Sequence, residues 1–248
     1  MDAGTITAVI LTRDEERNLP RAMTSLPHGM PVLVLDAQSQ DGTVAYARAA
    51  GATVIERRWR GFVDARRFAL TNVRTPWTLA IDADEELDDR LRAAIAEASE
   101  DRRAYVVRRD TYFRGKPLRM WSDEPLLRLF RTSDVRIEAR PAAGGEAALH
   151  ERYVCDAPAA ELDGTLLHYS YPDNASYRRK YAAYTSLEAA GMHAALADVV
   201  KETARAPVQF VWNMLRRGSL LDGPRGWYVA WYSAWYPAVA VWKSALRR

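Results

Sequence analysis

Four carboxylates fall within five residues at Asp82-Ala83-Asp84-Glu85-Glu86, directly after the short apolar run Trp77–Ile81. The run reads as a buried strand whose C-terminal end opens onto the acids. Two adjacent carboxylates about 4 Å apart repel by roughly 4 kcal/mol at an effective dielectric of ~20. A divalent cation would turn that repulsion into attraction, and its purpose there would be to hold a diphosphate. The competing reading is a strand that runs into a solvated acidic turn and a helix start.

Other residues could serve the same chemistry. Asp36 ends a second apolar run, Pro31–Leu35, where a carboxylate can accept hydrogen bonds from a nucleobase N–H or a ribose hydroxyl. Asp41-Gly42-Thr43 follows, and Asp41 reads more as a turn residue near a helix N-cap. Arg57, Arg58 and Arg60 precede Gly61-Phe62, with Arg66 and Arg67 beyond. Arg66 is the candidate diphosphate clamp, and the others read as a solvated basic face. Trp121-Ser122-Asp123-Glu124-Pro125 sets an acidic pair before Leu126–Arg131. A carboxylate there could act as general base, or it could lie in a surface turn. His150 and His168 could each add a ligand for metal or phosphate, although a lone histidine is more often structural; His28 and His193 take the structural role.

The elements that must position these groups alternate. Strands are predicted over Thr5–Thr12, Pro31–Leu35, Thr53–Glu56, Trp77–Ile81 and Ala104–Arg108. Helices are predicted over Glu15–Leu26, Thr43–Ala50, Val63–Val73 and Asp88–Ala98. Alternation with continuous apolar strands implies an α/β fold, a mostly parallel sheet flanked by helices. Ligands of such sheets sit at the strands' C-terminal ends, where Thr12, Asp36 and Asp82 all fall. Residues 110–170 look irregular, with short strands Leu126–Phe130 and Leu166–Tyr169 and a flexible loop over Arg140–Ala148. Beyond Pro172 the pattern turns helical, over Ser176–Gly191, Ala194–Arg205 and Val208–Arg217.

With 248 residues, 48% of them hydrophobic, the chain can bury one large domain plus a helical appendage. All but four of its 35 basic residues are Arg, which suits an anionic ligand or surface. No basic block or nucleic-acid motif is present, so a nucleic-acid partner is not expected. The single Cys155 excludes an internal disulfide framework and suggests a reducing compartment. No export signal is evident at the N-terminus, and no apolar run reaches the ~20 residues needed to span a bilayer.

The last segment, Trp227–Trp242, repeats Trp at 227, 231 and 235 beside Tyr228, Tyr232 and Tyr236. Lys243, Arg247 and Arg248 follow. At helical spacing this makes a broad aromatic face with a basic end, interrupted at Pro237. Two uses remain open: an interfacial membrane contact, or packing on the catalytic domain or another subunit.

Together these residues resemble the family-two glycosyltransferases with the GT-A fold. The resemblance rests on Thr12-Arg13-Asp14-Glu15-Glu16-Arg17-Asn18-Leu19, Val34-Leu35-Asp36 with Ser39 and Asp41-Gly42-Thr43, and Asp82-Ala83-Asp84-Glu85. It is closer to the bacterial lipopolysaccharide-core β-1,4-glucosyltransferase-like branch, through Gly61-Phe62, Phe68-Ala69-Leu70, Arg128-Leu129-Phe130-Arg131, His150-Glu151, His168-Tyr169-Ser170-Tyr171 and Leu221-Asp222-Gly223. It implies a GT-A catalytic domain over 1–171, with a nucleotide-sugar half over about 1–110 and an acceptor half over about 111–171, and a C-terminal helical region over 172–248.

The resemblance implies an inverting transfer of a hexose, glucose first, from a UDP-sugar to a lipid-linked saccharide such as lipopolysaccharide core. Thr12, Arg13, Glu15, Asp36, Arg66, Asp82 and Ala83 would hold the nucleotide sugar. Asp84, Asp82 and His150 would hold a divalent metal, Mg²⁺ or Mn²⁺. Glu124, standing where the family usually carries Asp, would be the base, with Asp123 beside it. Asp14 and Arg67 stand where the family usually carries Asn. The enzyme would be cytoplasmic and peripheral on the inner face of the cytoplasmic membrane, with a homo-oligomer as a further partner. The alternatives are a non-catalytic nucleotide-sugar-binding membrane scaffold and a nucleotidyltransferase. The latter would want a Gly-rich basic loop after the first strand, where Arg13-Asp14-Glu15-Glu16 stands.

Overall fold

Ile6–Thr12 (β1) is buried along nearly its whole length, as a strand must be when a sheet is covered on both faces. Its side chains split by parity: Ile6, Ala8 and Ile10 pack on one face, Val9 on the other. In the computed structural model, which describes residues 1–139 and 151–247, β1 pairs in parallel with Val32–Asp36 (β2) and Trp77–Asp82 (β4). Thr53–Glu56 (β3) lies parallel beyond β2. Register opposes Thr12 to Asp36 and Leu11 to Asp82, so the three expected strand-end residues share one edge.

The helices between these strands are Leu19–Thr24 (α1), Thr43–Ala49 (α2), Phe62–Thr71 (α3) and Asp89–Glu97 (α4). Leu19, Ala47, Leu91 and Ile95 close one face of the sheet, while Ala65 and Ala69 of α3 close the other. The first helix is shorter than the predicted Glu15–Leu26 because residues 14–16 spend their backbone N–H groups on the loop after β2.

Glu85–Leu87 (β5) follows the acidic pair as a strand rather than a helix start. Next come Ala104–Phe113 (β6), Lys116–Pro117 (β7), Glu124–Arg131 (β8), Val135–Ala139 (β9), Glu151–Cys155 (β10) and Ala160–Tyr171 (β11). The main sheet runs β3-β2-β1-β4-β8-β6-β11-β5, with β7 on β6; β9 and β10 form a separate ribbon. The fold class is the expected α/β one, but the sheet turns antiparallel from β8 onward. Ala104–Arg108, read as continuing the parallel alternation, pairs antiparallel with β8, since the connection between them carries no crossover helix. The predicted loop Arg140–Ala148 lies outside the described residues.

The described residues form two compact units. The first comprises Met1–Asp110, Asp123–Glu138 and Glu151–His168; the second contains Thr111–Ser122 and the described residues from Tyr169 onward. In the second, Asn174–Ala190 (α5), Leu196–Leu215 (α6) and Pro224–Ala245 (α7) pack together. The two expected proline breaks are absent. Ala194–Arg205 and Val208–Arg217 are one helix that runs through Pro207, and α7 continues through Pro237. An interior proline costs about 3 kcal/mol; buried Ala206, Asn213 and Met214 of α6, and Ala234, Ala238 and Val241 of α7, hold the flanking turns in place. The tyrosine stripe of α7 packs on Tyr177, Tyr181 and Phe113, and Trp227 and Trp231 pack on Phe210. No helix among the described residues is long and apolar enough to cross a membrane.

Gly164 lets β11 pass close to α4. Its φ is +99°, and a Cβ there would lie 2.1 Å from the backbone nitrogen of Leu91, the donor that Asp88 caps. Gly164→Ala is therefore expected to lower unfolding free energy by about 2–4 kcal/mol, read by urea denaturation; an unchanged midpoint would contradict the close approach.

Candidate functional site

The sheet edge where β1, β2 and β4 end carries two kinds of carboxylate. Asp36 is fully buried, and its oxygens accept from Thr12 Oγ1 (2.7 Å), Ser39 N (2.8 Å) and Ser39 Oγ (2.6 Å). It ties β1 to the loop after β2 and forms part of a groove lined by Ala37, Arg58, Trp59 and Arg60. Asp36, expected at the nucleotide, lines this groove from within, and Arg58, Trp59 and Arg60 are its exposed members. Arg57 lines the groove too, paired with Asp64 at 2.9 Å and stacked over Phe68.

The loops after β1 and β2 are fastened to each other. Asp14 N donates to Ser39 Oγ, and Asp14 Oδ1 accepts from Gln40 N. Glu16 N donates to Asp41 Oδ2 while Glu16 Oε2 accepts from Gly42 N. Glu15 N donates to Thr43 Oγ1, and the Glu15 carboxylate accepts from Asn18. Asp14 and Gln38 hold positive φ of 55° and 62° within this arrangement. Asp41 is structural, as the sequence suggests. Arg13 is largely exposed beside Asp14 and is not brought to the acidic pair.

Asp82, expected at the ribose or the metal, is held by two arginines. Arg66 Nη2 reaches its Oδ1 at 3.0 Å and Arg128 Nη2 its Oδ2 at 3.1 Å. Burial by itself would raise the Asp82 pKa, but Arg128, Arg66, His168 and Arg109 overcome it and hold the carboxyl well below the usual range. Glu85, fully buried, accepts from Arg128 (2.7 Å), Arg109 (3.3 Å) and the Asp82 N–H (2.8 Å). Arg109 continues to Glu124 Oε2 at 2.5 Å. Three carboxylates thus alternate with three guanidinium groups from Arg66 to Glu124, and Arg66 also donates to Tyr153 Oη. The helix-start reading of Glu85 fails because a carboxylate this deep must be neutralised by adjacent cations.

Asp84 meets a different partner. Its Oδ1 lies 3.4 Å from His168 Nε2. The β5–β11 register, His168 opposite Glu85, makes the meeting possible. Of the expected metal residues, Asp82 is engaged by two arginines and His150 lies outside the described residues. Among the described residues no three His, Cys, Asp or Glu side chains gather into a complete cation site. An imidazole with a carboxylate nevertheless fits Mn²⁺ or Mg²⁺ if diphosphate oxygens and water supply the other ligands. Ala83 is buried between the two acids. Asp123, at φ 59° and largely exposed, pairs with Arg108 and turns the chain into Glu124.

Arg109 stands in none of the quoted motifs, and Arg128 heads one of them, Arg128-Leu129-Phe130-Arg131, without a role of its own. Arg128 carries a usable signal all the same: an arginine inside the apolar run Leu126–Phe130 needs a buried anion.

The sequence pattern of Glycosyl transferase family 2 matches residues 7–183. The chain belongs to that family. An uncharacterized glycosyltransferase of Rickettsia bellii is 40% identical over 91 residues, 36% of this chain and 31% of that protein. The lipopolysaccharide core biosynthesis glycosyltransferase LpsC of Rhizobium meliloti is 33% identical over 118 residues, 44% of each chain. The aligned part is therefore under half the length of these curated relatives. Glucosyl-3-phosphoglycerate synthase of Mycobacterium tuberculosis, in complex with Mn²⁺, UDP and glucosyl-3-phosphoglycerate, aligns at TM-score 0.47 and 16% identity, over 75% of this chain and 79% of that one. In this family-2 member the sheet is built of parallel strands continued by antiparallel ones.

Glu85→Gln should cost about 3 kcal/mol of stability at pH 7, because it removes the central anion between buried Arg128 and half-buried Arg109; denaturant midpoints would read it. Asp82 has a depressed pKa when folded, so its stabilisation is present above about pH 4 and lost as pH falls below it. An acid titration of unfolding free energy should show that loss in the wild type and a smaller one in Arg66→Gln.

Proposed function

We propose that this family-2 chain moves a hexose, glucose by the branch resemblance, from a UDP-sugar to a lipid-linked saccharide, with inversion at the anomeric carbon. The observation that carries the reading is the Asp84–His168 pair, set next to Glu85 in a chain of contacts that leads through Arg109 to Glu124. Asp84 and His168 would hold a divalent metal. Such an ion supplies positive charge against the diphosphate leaving group.

The chain's own residues do the rest. Exposed Arg58 and Arg60 line the groove beside Asp36 and offer cationic contacts to the nucleotide's phosphates. Arg109 fixes the Glu124 carboxylate through one oxygen and leaves the other for an acceptor hydroxyl. Glu124 takes that hydroxyl's proton as the new C1–O bond forms and the bond to the diphosphate breaks. Arg66 and Arg128 keep Asp82 ionised and in place. A nucleotidyltransferase is disfavoured by the loop after β1, whose three acids are fastened within the loop or to its neighbour.

We place a membrane contact on α6, alongside the exposed Trp227 and Trp231 of α7. α7 buries its small residues, half-buries its tyrosines and exposes Trp227 and Trp231, while α6 exposes Leu196, Val200, Val208, Val211, Trp212 and Leu215. Lys201 and Arg205 on the same helix, and Arg216 at its end, are exposed as well, a combination suited to anionic lipid headgroups.

Two experiments test this. Asp84→Ala and His168→Ala should each abolish metal-dependent UDP binding by calorimetry and cut transfer by at least ~10²-fold, while Glu124→Gln should lose roughly 10²–10⁴-fold in transfer with UDP binding kept. Undiminished turnover in any of the three removes that residue from the site. Val208→Glu with Trp212→Glu should weaken partitioning onto anionic vesicles by about ten-fold without unfolding the chain; unaltered partitioning would return α6 to a protein contact.

A further inference from the structure

The second unit contains a cavity of about 250 Å³. Six aromatic rings line it: Trp121, Tyr171, Tyr177, Tyr181, Tyr184 and Tyr236. No Asp, Glu, Lys or Arg and no Leu, Ile, Val or Met is among its described lining residues. Burial raises the pKa of Tyr177 and of Tyr236, and pushes Tyr181 up to about 12. These phenols therefore remain neutral O–H groups at physiological pH. The rings brace one another: Tyr177 against Trp121 and Tyr171, Tyr181 against Tyr236. Tyr184 is the exposed one, at 39%.

We propose that this cavity is the subsite for a neutral sugar ring of the acceptor saccharide. A pyranose has faces of C–H bonds and an equator of hydroxyls. Aromatic faces match the first, and phenol hydroxyls, which donate and accept, match the second. The volume lies just below the roughly 300–1,000 Å³ typical of drug-sized ligands, which is room for a single sugar residue. The uncharged lining offers nothing to a phosphate or a diphosphate. Chain position argues for the acceptor rather than the donor. Trp121 precedes Glu124 by three residues, and Tyr171 follows His168 by three on the same strand.

The inference rests on the transfer reading above, and its test separates the two. Methyl glycosides of glucose, galactose, mannose and heptose, and separately n-decanol, are titrated into the full chain and followed by saturation-transfer NMR. At least one glycoside should receive saturation at its ring protons. Tyr184→Ala, an exposed substitution, should weaken it by about ten-fold, and Tyr181→Phe should keep the stacking but lose part of the affinity. UDP binding should be unchanged in both. Saturation of decanol but of no glycoside, or glycoside binding indifferent to both substitutions, overturns the assignment. Glycoside binding that responds to Tyr184→Ala in a chain that turns over no nucleotide sugar keeps the sugar site and counts against the transfer reading alone.

Discussion

Glu85 is a fully buried carboxylate, and the site is organised around the need to neutralise it. An unpaired charge at that depth would be far too costly, so two arginines must reach it from separate strands, Arg128 from β8 and Arg109 from β6. Each then has a second anion within reach. Arg128 takes Asp82, and Arg109 takes Glu124. The result is an alternating row of charge in which no member can be removed without exposing the next. Its side effect is to give neighbouring acids different roles. Asp82 and Glu85 are committed to the row, while Asp84 meets His168.

That separation depends on an antiparallel pairing between distant parts of the chain. β5 is only three residues long, yet it seats Leu87, Glu86 and Glu85 against Leu166, Leu167 and His168 of β11. A slip of one residue would turn His168 to the other face. Gly164 holds the strand against the start of α4 and so helps to fix this register.

Much of the fold is legible in the sequence. Continuous apolar strands and their spacing point to the parallel half, and the strand ends at Thr12, Asp36 and Asp82 fall on one edge. The antiparallel half is harder to read, because antiparallel pairing between β6 and β8 leaves no helical crossover as a signal. Pro207 and Pro237 look like helix ends, since the local cost of a proline is visible in the sequence and the long-range packing that outweighs it is not. The acidic motif is visible, but the different roles of its members are not. Which carboxylate binds arginine and which meets a histidine is set by residues more than forty positions away, Arg128 from Asp82 and His168 from Asp84. The same applies to α7: its Trp and Tyr periodicity is plain, whereas the partners that bury its tyrosines lie on α5.

The fastened loops after β1 and β2 have a thermodynamic consequence. Asp14, Glu16 and Asp41 each cross-link the two segments, and Asp14 and Gln38 are already in conformations that a free chain seldom visits. Most of the conformational entropy of this rim has therefore been lost during folding. A ligand arriving there meets a surface that needs little further ordering, so its affinity would be reduced by desolvation and its own lost motion far more than by any rearrangement of the protein.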